Sequence, residues 1–121
     1  MRELEEFFQR KIRVVQATPN KFAIFFPMYK LNGGLYELYL VAEDGKFFLS
    51  DEGTTMAELD IVFNLDEPNV QKILTVTIKR FGCEMVGQKI RTECTPQDIH
   101  VRLGFLIQAM SFVLNMKIFY Y

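Results

Sequence analysis

The sequence predicts a single α+β domain over residues 1–121: an antiparallel sheet of four to six strands packed against helices, with a long apolar C-terminal helix. Three observations lead there. Residues 12–49 consist of β-branched and aromatic runs separated by short turn signals. After Ser50 the apolar period changes from two to 3.6. Residues 99–121 are then apolar almost all round a helix. A length of 121 residues suits one core. Half the residues are apolar, and 12 Phe with 5 Tyr and no Trp exclude a disordered chain. A net charge of −1 provides no global basic field for nucleic acid.

Leu4, Phe7, Phe8 and Lys11 have helical spacing, which predicts a short opening helix over 3–10. The segment 12–18 reads as a strand ending at Pro19-Asn20, and 22–29 as a second. Pro27 cannot donate to a ladder, so the second strand is expected at an edge or bulged there. Asn32-Gly33-Gly34 marks a turn, and 35–42 a stronger strand. Asp44-Gly45 then signals a two-residue hairpin, because both residue types tolerate positive φ. That loop places Glu43 opposite Lys46, Ala42 opposite Phe47 and Leu40 opposite Leu49. Leu38, Leu40, Ala42, Phe47 and Leu49 fall on one face, while Tyr39, Val41 and Phe48 make the other apolar too. Such a sheet is expected to be covered on both sides, by helices or by a partner chain.

Thr55 with Glu58 fits a capping box opening a short helix through Met56, Leu59 and residues 61–63. Asn69 is placed to cap the next, with Val70, Ile73, Leu74, Thr77, Ile78 and Phe81 on its inner side and Gly82 at its end. Gly87-Gln88 predicts a hairpin pairing Met85 with Ile90 and Cys83 with Thr92 inward, and Glu84 with Arg91 outward. The last helix is expected to start at Thr95-Pro96. Its polar residues His100, Gly104, Gln108, Ser111 and Asn115 form one narrow stripe. A helix so apolar is expected to be enclosed, which favours a homodimer.

Charge is uneven along the chain. Six acids (Asp51, Glu52, Glu58, Asp60, Asp66 and Glu67) and no base lie between 51 and 67, and residues 68–91 then carry +4. The sharpest motif is Leu49-Ser50-Asp51-Glu52-Gly53-Thr54-Thr55, where a strand gives way to a helix. Carboxylates at a strand end can hold a hard cation, and helix amides can hold an anion. Turn and cap chemistry alone also accounts for Ser50, Asp51, Glu52, Gly53 and Thr55, and is the favoured reading. Lys72, Lys79, Arg80, Lys89 and Arg91 are the candidate nucleic-acid contacts, though the helical ones read equally as a solvated face. Glu37 followed by Asp44-Gly45-Lys46 has the letters of a metal-dependent nuclease pattern, as has Asp51 with Glu37. A hairpin tip is the wrong setting for it. His100 has no Ser, Cys or acid partner in a motif, and Cys83 and Cys94 read as small core residues not paired in a disulfide. One His and two Cys assemble no metal-ligand set, and neither catalytic residues nor a cofactor are expected.

The N-terminal MRELEEFFQR lacks the basic and apolar regions of a signal peptide. Residues 99–121 are broken by His100, Arg102, Gln108, Asn115 and Lys117, so a membrane span is not expected. The cytoplasm is the expected location.

Early Thr18-Pro19, the segment Leu49-Ser50-Asp51-Glu52-Gly53-x-Thr55 followed by Leu59, and Phe81-Gly82 before a hairpin and terminal helix together carry a resemblance. The chain resembles a family of small bacterial and phage-associated domains of unknown function with the motif L-S/T-D-D/E-G-x-T-x-x-x-L. The resemblance implies no catalytic role for any residue. It implies a prophage or mobile-element setting. The resulting expectation is a non-enzymatic protein-interaction module, homodimeric, with an unidentified protein partner. A nucleic-acid-binding regulator using the basic 72–91 segment and a metal-dependent nuclease-like enzyme are the alternatives.

Overall fold

The computed structural model describes residues 13–30, 33–60 and 64–116. The helix expected over 3–10 lies outside them. Six strands form one antiparallel sheet: β1 (Arg13–Thr18), β2 (Lys21–Tyr29), β3 (Leu35–Glu43), β4 (Lys46–Ser50), β5 (Glu84–Val86) and β6 (Lys89–Cys94). Their order is β1-β2-β3-β4-β6-β5, so the β5–β6 hairpin joins the β1–β4 meander through β6. Three helices complete the fold: α1 (Thr54–Leu59), α2 (Pro68–Arg80) and α3 (Ile99–Asn115).

Local turn chemistry sets both hairpins. Asp44 (φ 54°) and Gly45 (φ 75°) occupy the left-handed region, and the pairs Glu43–Lys46, Ala42–Phe47 and Leu40–Leu49 follow. Glu84 pairs with Arg91 and Met85 with Ile90 across the Gly87-Gln88 turn. The β2–β3 register shifts between Phe25 and Tyr29, around Pro27, so the proline is accommodated by an irregularity within an internal strand.

Alternation sends Ile24, Tyr36, Leu38, Leu49, Ile90 and Cys94 to the helix side. There they meet Met56 and Leu59 of α1, Leu74 and Ile78 of α2, and Leu106, Met110 and Val113 of α3. Each fully buried aliphatic side chain contributes roughly 2 kcal/mol through area removed from water. Tyr36 is hydrogen-bonded to Ser111, tying β3 to α3. At the end of α2 the Gly82 and Cys83 amides donate to the Lys79 and Ile78 carbonyls. Gly82 (φ 73°) is needed twice, because a Cβ there would also lie 3.0 Å from the Phe105 ring.

Several local expectations are corrected. Glu67, not Asn69, caps α2: its carboxylate accepts from the Asn69 and Val70 amides, each at 3.2 Å, and Pro68 takes the first helical position. Helix α3 begins at Ile99 rather than near Thr95, since Asp98 captures the Thr95 amide at 2.7 Å and holds the intervening residues in a turn. Ile73 is 49 % exposed instead of inward. Within one chain, helix α3 leaves His100, Gly104, Gln108 and Asn115 open as a stripe, joined by Val101 and Phe112. The three helices cover one face of the sheet. Among the described residues no helix covers the other.

Candidate functional site

The Ser50–Thr55 turn is built around Asp51. Residue 51 continues the β4–β6 register, and its amide donates to the Ile90 carbonyl at 3.0 Å. Alternation then points its side chain to the helix side, where it is fully buried. Oδ1 accepts from the Ile90 amide at 2.8 Å and the Gly53 amide at 2.9 Å, and Oδ2 accepts from the Thr55 amide at 3.3 Å. The Asp51 carbonyl accepts from the Thr54 hydroxyl at 3.0 Å. One carboxylate thus joins the end of β4, the start of α1 and the start of β6. Burial pushes its pKa above the ordinary aspartate value, and donors from Gly53, Thr55 and Ile90 offset part of the rise. The buried Thr55 hydroxyl stands close enough to favour the ionised carboxyl without meeting hydrogen-bond geometry.

This arrangement replaces the expected capping box. Helix α1 starts at Thr54, with Gly53 (φ 89°) as its N-cap residue and no side chain of its own capping it. Thr55 is buried inside the first turn, and Glu58 pairs with Lys30 at 3.4 Å. Asp51 therefore does the capping work by satisfying amides that the helix start leaves open.

Glu52 faces the opposite way, into a cleft of about 380 Å³ on the helix-free side of the sheet. Its backbone is left-handed (φ 53°), a conformation that costs a non-glycine residue about 1 kcal/mol. The Ser50 side chain holds it there: Ser50 Oγ accepts from the Glu52 amide at 3.0 Å and donates to Glu52 Oε1 at 2.8 Å. Oε2 accepts from Lys21 at 2.6 Å and Lys89 at 3.3 Å. Lys21 lies on β2 and Lys89 on β6, three strand spacings or about 14 Å apart. Glu52 clamps the sheet across its width. Burial raises its carboxyl, but Lys21 and Ser50, with the Lys89 charge, outweigh this and hold it below the usual glutamate value. Arg91 lies over the Phe48 ring, 4.0 Å from its centre, and pairs with Glu43 at 3.4 Å and Glu84 at 3.2 Å. In this cleft three cations, Lys21, Lys89 and Arg91, meet two carboxylates, Glu43 and Glu52, and Glu84 reaches Arg91 from beyond its rim.

The five basic candidates are divided by the sheet. Lys89 and Arg91 point to the helix-free side and are ion-paired. Lys72, Lys79 and Arg80 are exposed on α2, behind the sheet. The acidic block is dispersed as well: Asp51 is buried, Glu52 and Glu58 are ion-paired, Glu67 caps α2, and Asp60 and Asp66 remain exposed. Glu37 is exposed on β3 across from Phe25, Asp44 sits in the hairpin tip, and Lys46 pairs with Glu93 at 3.8 Å. Among the described residues no three His, Cys, Asp or Glu are grouped to hold a metal ion. His100 is exposed on the first turn of α3. Cys83 and Cys94 are free and buried; burial pushes the Cys83 thiol up to about 11 and raises Cys94 too, which keeps both protonated near neutrality. Two participants gave no sequence signal. The Ile90 amide is 39 positions from Asp51, and Lys21 is 31 from Glu52.

A family model described as a domain of unknown function, DUF1828, matches residues 26–113, so the chain belongs to that family. The match takes in the whole Asp51 junction, while Lys21 lies outside it. No curated protein and no solved structure matches the chain.

Asp51→Ala strands two buried amides, of Thr55 and Ile90, and the part-buried amide of Gly53, and is expected to cost about 3 kcal/mol or more in chemical denaturation. Asp51→Asn, which keeps one acceptor oxygen and removes the buried charge, is expected to cost less than half as much. For Glu52 the folded pKa is lowered, so its stabilisation is present above the unfolded-state value and disappears as pH falls through the folded one. The stability gap between wild type and Glu52→Gln is therefore expected to be full near neutrality and to close on acidification. A gap independent of pH would contradict the clamp.

Proposed function

We propose that this member of the DUF1828 family is a non-enzymatic protein-interaction module that assembles as a homodimer through the helix-free face of its sheet. One observation carries the reading: the β1–β3 part of that face exposes an apolar cluster around Val15 and Phe25, bordered by Glu37 and Lys21. Val15 is 46 % exposed and Phe25 44 % exposed, with Ala23, Tyr39 and Val41 half-buried beside them. Contiguous apolar surface of this kind marks an interaction site more often than an ordinary surface. A second copy presenting the same face would bury it in a sheet-on-sheet packing, about 10 Å between layers.

The ion-paired cleft crosses the same face from Lys21 on β2 and Glu43 on β3 to Lys89 and Arg91 on β6, which gives such an interface a polar border. The non-enzymatic part of the reading rests on how the motif is used. Asp51 is committed to three amides and Glu52 to two lysines, so neither carboxylate is available to a reacting group without dismantling the turn. A nucleic-acid regulator draws less support, because the sheet separates its five cations. The prophage or mobile-element setting implied by the sequence resemblance belongs to this proposal.

Light scattering at micromolar concentration is expected to give the mass of two chains for wild type and one chain for Val15→Glu. The substitution is at an exposed position, so the circular dichroism of the two proteins is expected to match. A wild-type monomer would overturn the dimer.

A further inference from the structure

Helix α2 contains three basic residues and no acidic one. At 100° per residue, Lys72, Ile73, Val76, Lys79 and Arg80 share an arc of about 120°, opposite the buried Leu74 and Ile78. All five are exposed, Ile73 at 49 % and Val76 at 45 %. Among the described residues none of the three cations makes an ion pair, whereas Lys21, Lys30, Lys46, Lys89, Arg91 and Arg102 all do. The helix dipole accounts for Lys79 and Arg80 in the last turn. It accounts neither for Lys72 nor for two branched aliphatics left in water between the charges.

We infer that the outer side of α2 docks an acidic amphipathic segment of another protein. The charges are complementary to acids, and the two aliphatics at i and i+3 match the anchor spacing by which helices seat in one another's grooves. A nucleic-acid backbone would use the cations and gain nothing from Ile73 and Val76. An anionic membrane surface would need a far larger apolar face than two side chains, and the inner face of α2 is already occupied by the core. This inference rests on the interaction-module reading and names its partner class; it does not depend on the dimer, which uses the other side of the sheet.

The test titrates the full chain, by fluorescence anisotropy at low and high salt, with four labelled or tracked probes. These are a synthetic acidic peptide with leucines at helical i, i+3 and i+4 spacing, a polyglutamate of equal length, a short DNA duplex and vesicles containing an anionic lipid. The amphipathic peptide is expected to bind at least about tenfold tighter than polyglutamate, a difference of about 1.4 kcal/mol. Lys72→Glu with Lys79→Glu should abolish that binding. Val76→Asp should weaken it to the polyglutamate level, and all these variants should keep the wild-type circular dichroism and mass. Equal affinity for the two peptides, tighter binding of DNA or vesicles, or indifference to the α2 substitutions would overturn the inference. Loss of peptide binding in a chain that still dimerises sinks this inference alone; a monomer that binds the peptide supports it and sinks only the dimer.

Discussion

Everything distinctive about this fold passes through one buried carboxylate. The sheet is assembled from a four-stranded meander, β1–β4, and a separate β5–β6 hairpin, which joins the meander only through the β4–β6 pairing. At that seam the chain also leaves β4, turns through two left-handed residues and starts a helix. A turn and a helix start together leave several amides without backbone partners. Asp51 collects three of them at once, from Gly53, Thr55 and Ile90. The arrangement carries a cost, because burial opposes the charge. It is tolerated because the Thr55 and Ile90 amides would otherwise be buried donors without a partner.

The electrostatics follow the same geometry. A chain of nearly zero net charge with acidic and basic stretches looks polarised when read linearly. In three dimensions most of the acids are consumed locally: one in the Asp51 junction, one in the Glu52 clamp, one with Lys30, one as the cap of α2. Lys21 of β2 and Lys89 and Arg91 of β6 are ion-paired by Glu43, Glu52 and Glu84. Among the described residues, Lys72, Lys79 and Arg80 on the outer side of α2 stand without an ion pair, while Asp60 and Asp66 stay exposed. The electrostatic contrast of the sequence blocks is thus largely cancelled within the fold, and the α2 face keeps a local positive charge.

What could be read from the sequence was local. Both hairpin registers follow from Asp44-Gly45 and Gly87-Gln88, because a two-residue loop leaves no freedom in the pairing that follows. The antiparallel α+β architecture, expected with four to six strands and found with six, and the Gly82 stop were legible from local signals too. Errors arose where two residues competed for one role. Asn69 and Glu67 can both cap α2, and the longer side chain reaches two amides. Thr95 and Asp98 compete at α3, and Asp98 holds the Thr95 amide and hydroxyl, delaying the helix to Ile99. Thr55 lost its expected capping role to Asp51, whose main partner lies 39 residues away. The Glu52 clamp was illegible for that reason as well: nothing near residue 52 points to Lys21. Apolar alternation on both faces of the sheet was correctly visible, but alternation does not say what covers a face, and the described helices cover only one.

The Asp51 junction ties the β5–β6 hairpin to the β1–β4 meander, and native-state hydrogen exchange tests that tie most directly. In the wild-type protein the Ile90 amide is predicted to exchange only through global unfolding, at the protection of core amides such as Leu106 and Met110 in α3. In Asp51→Ala the Ile90, Gly53 and Thr55 amides are predicted to lose protection together, while Leu106 and Met110 keep exchanging at the new global limit. Fast exchange at Ile90 in wild type, or an Ile90 protection that still follows α3 in the variant, would contradict it.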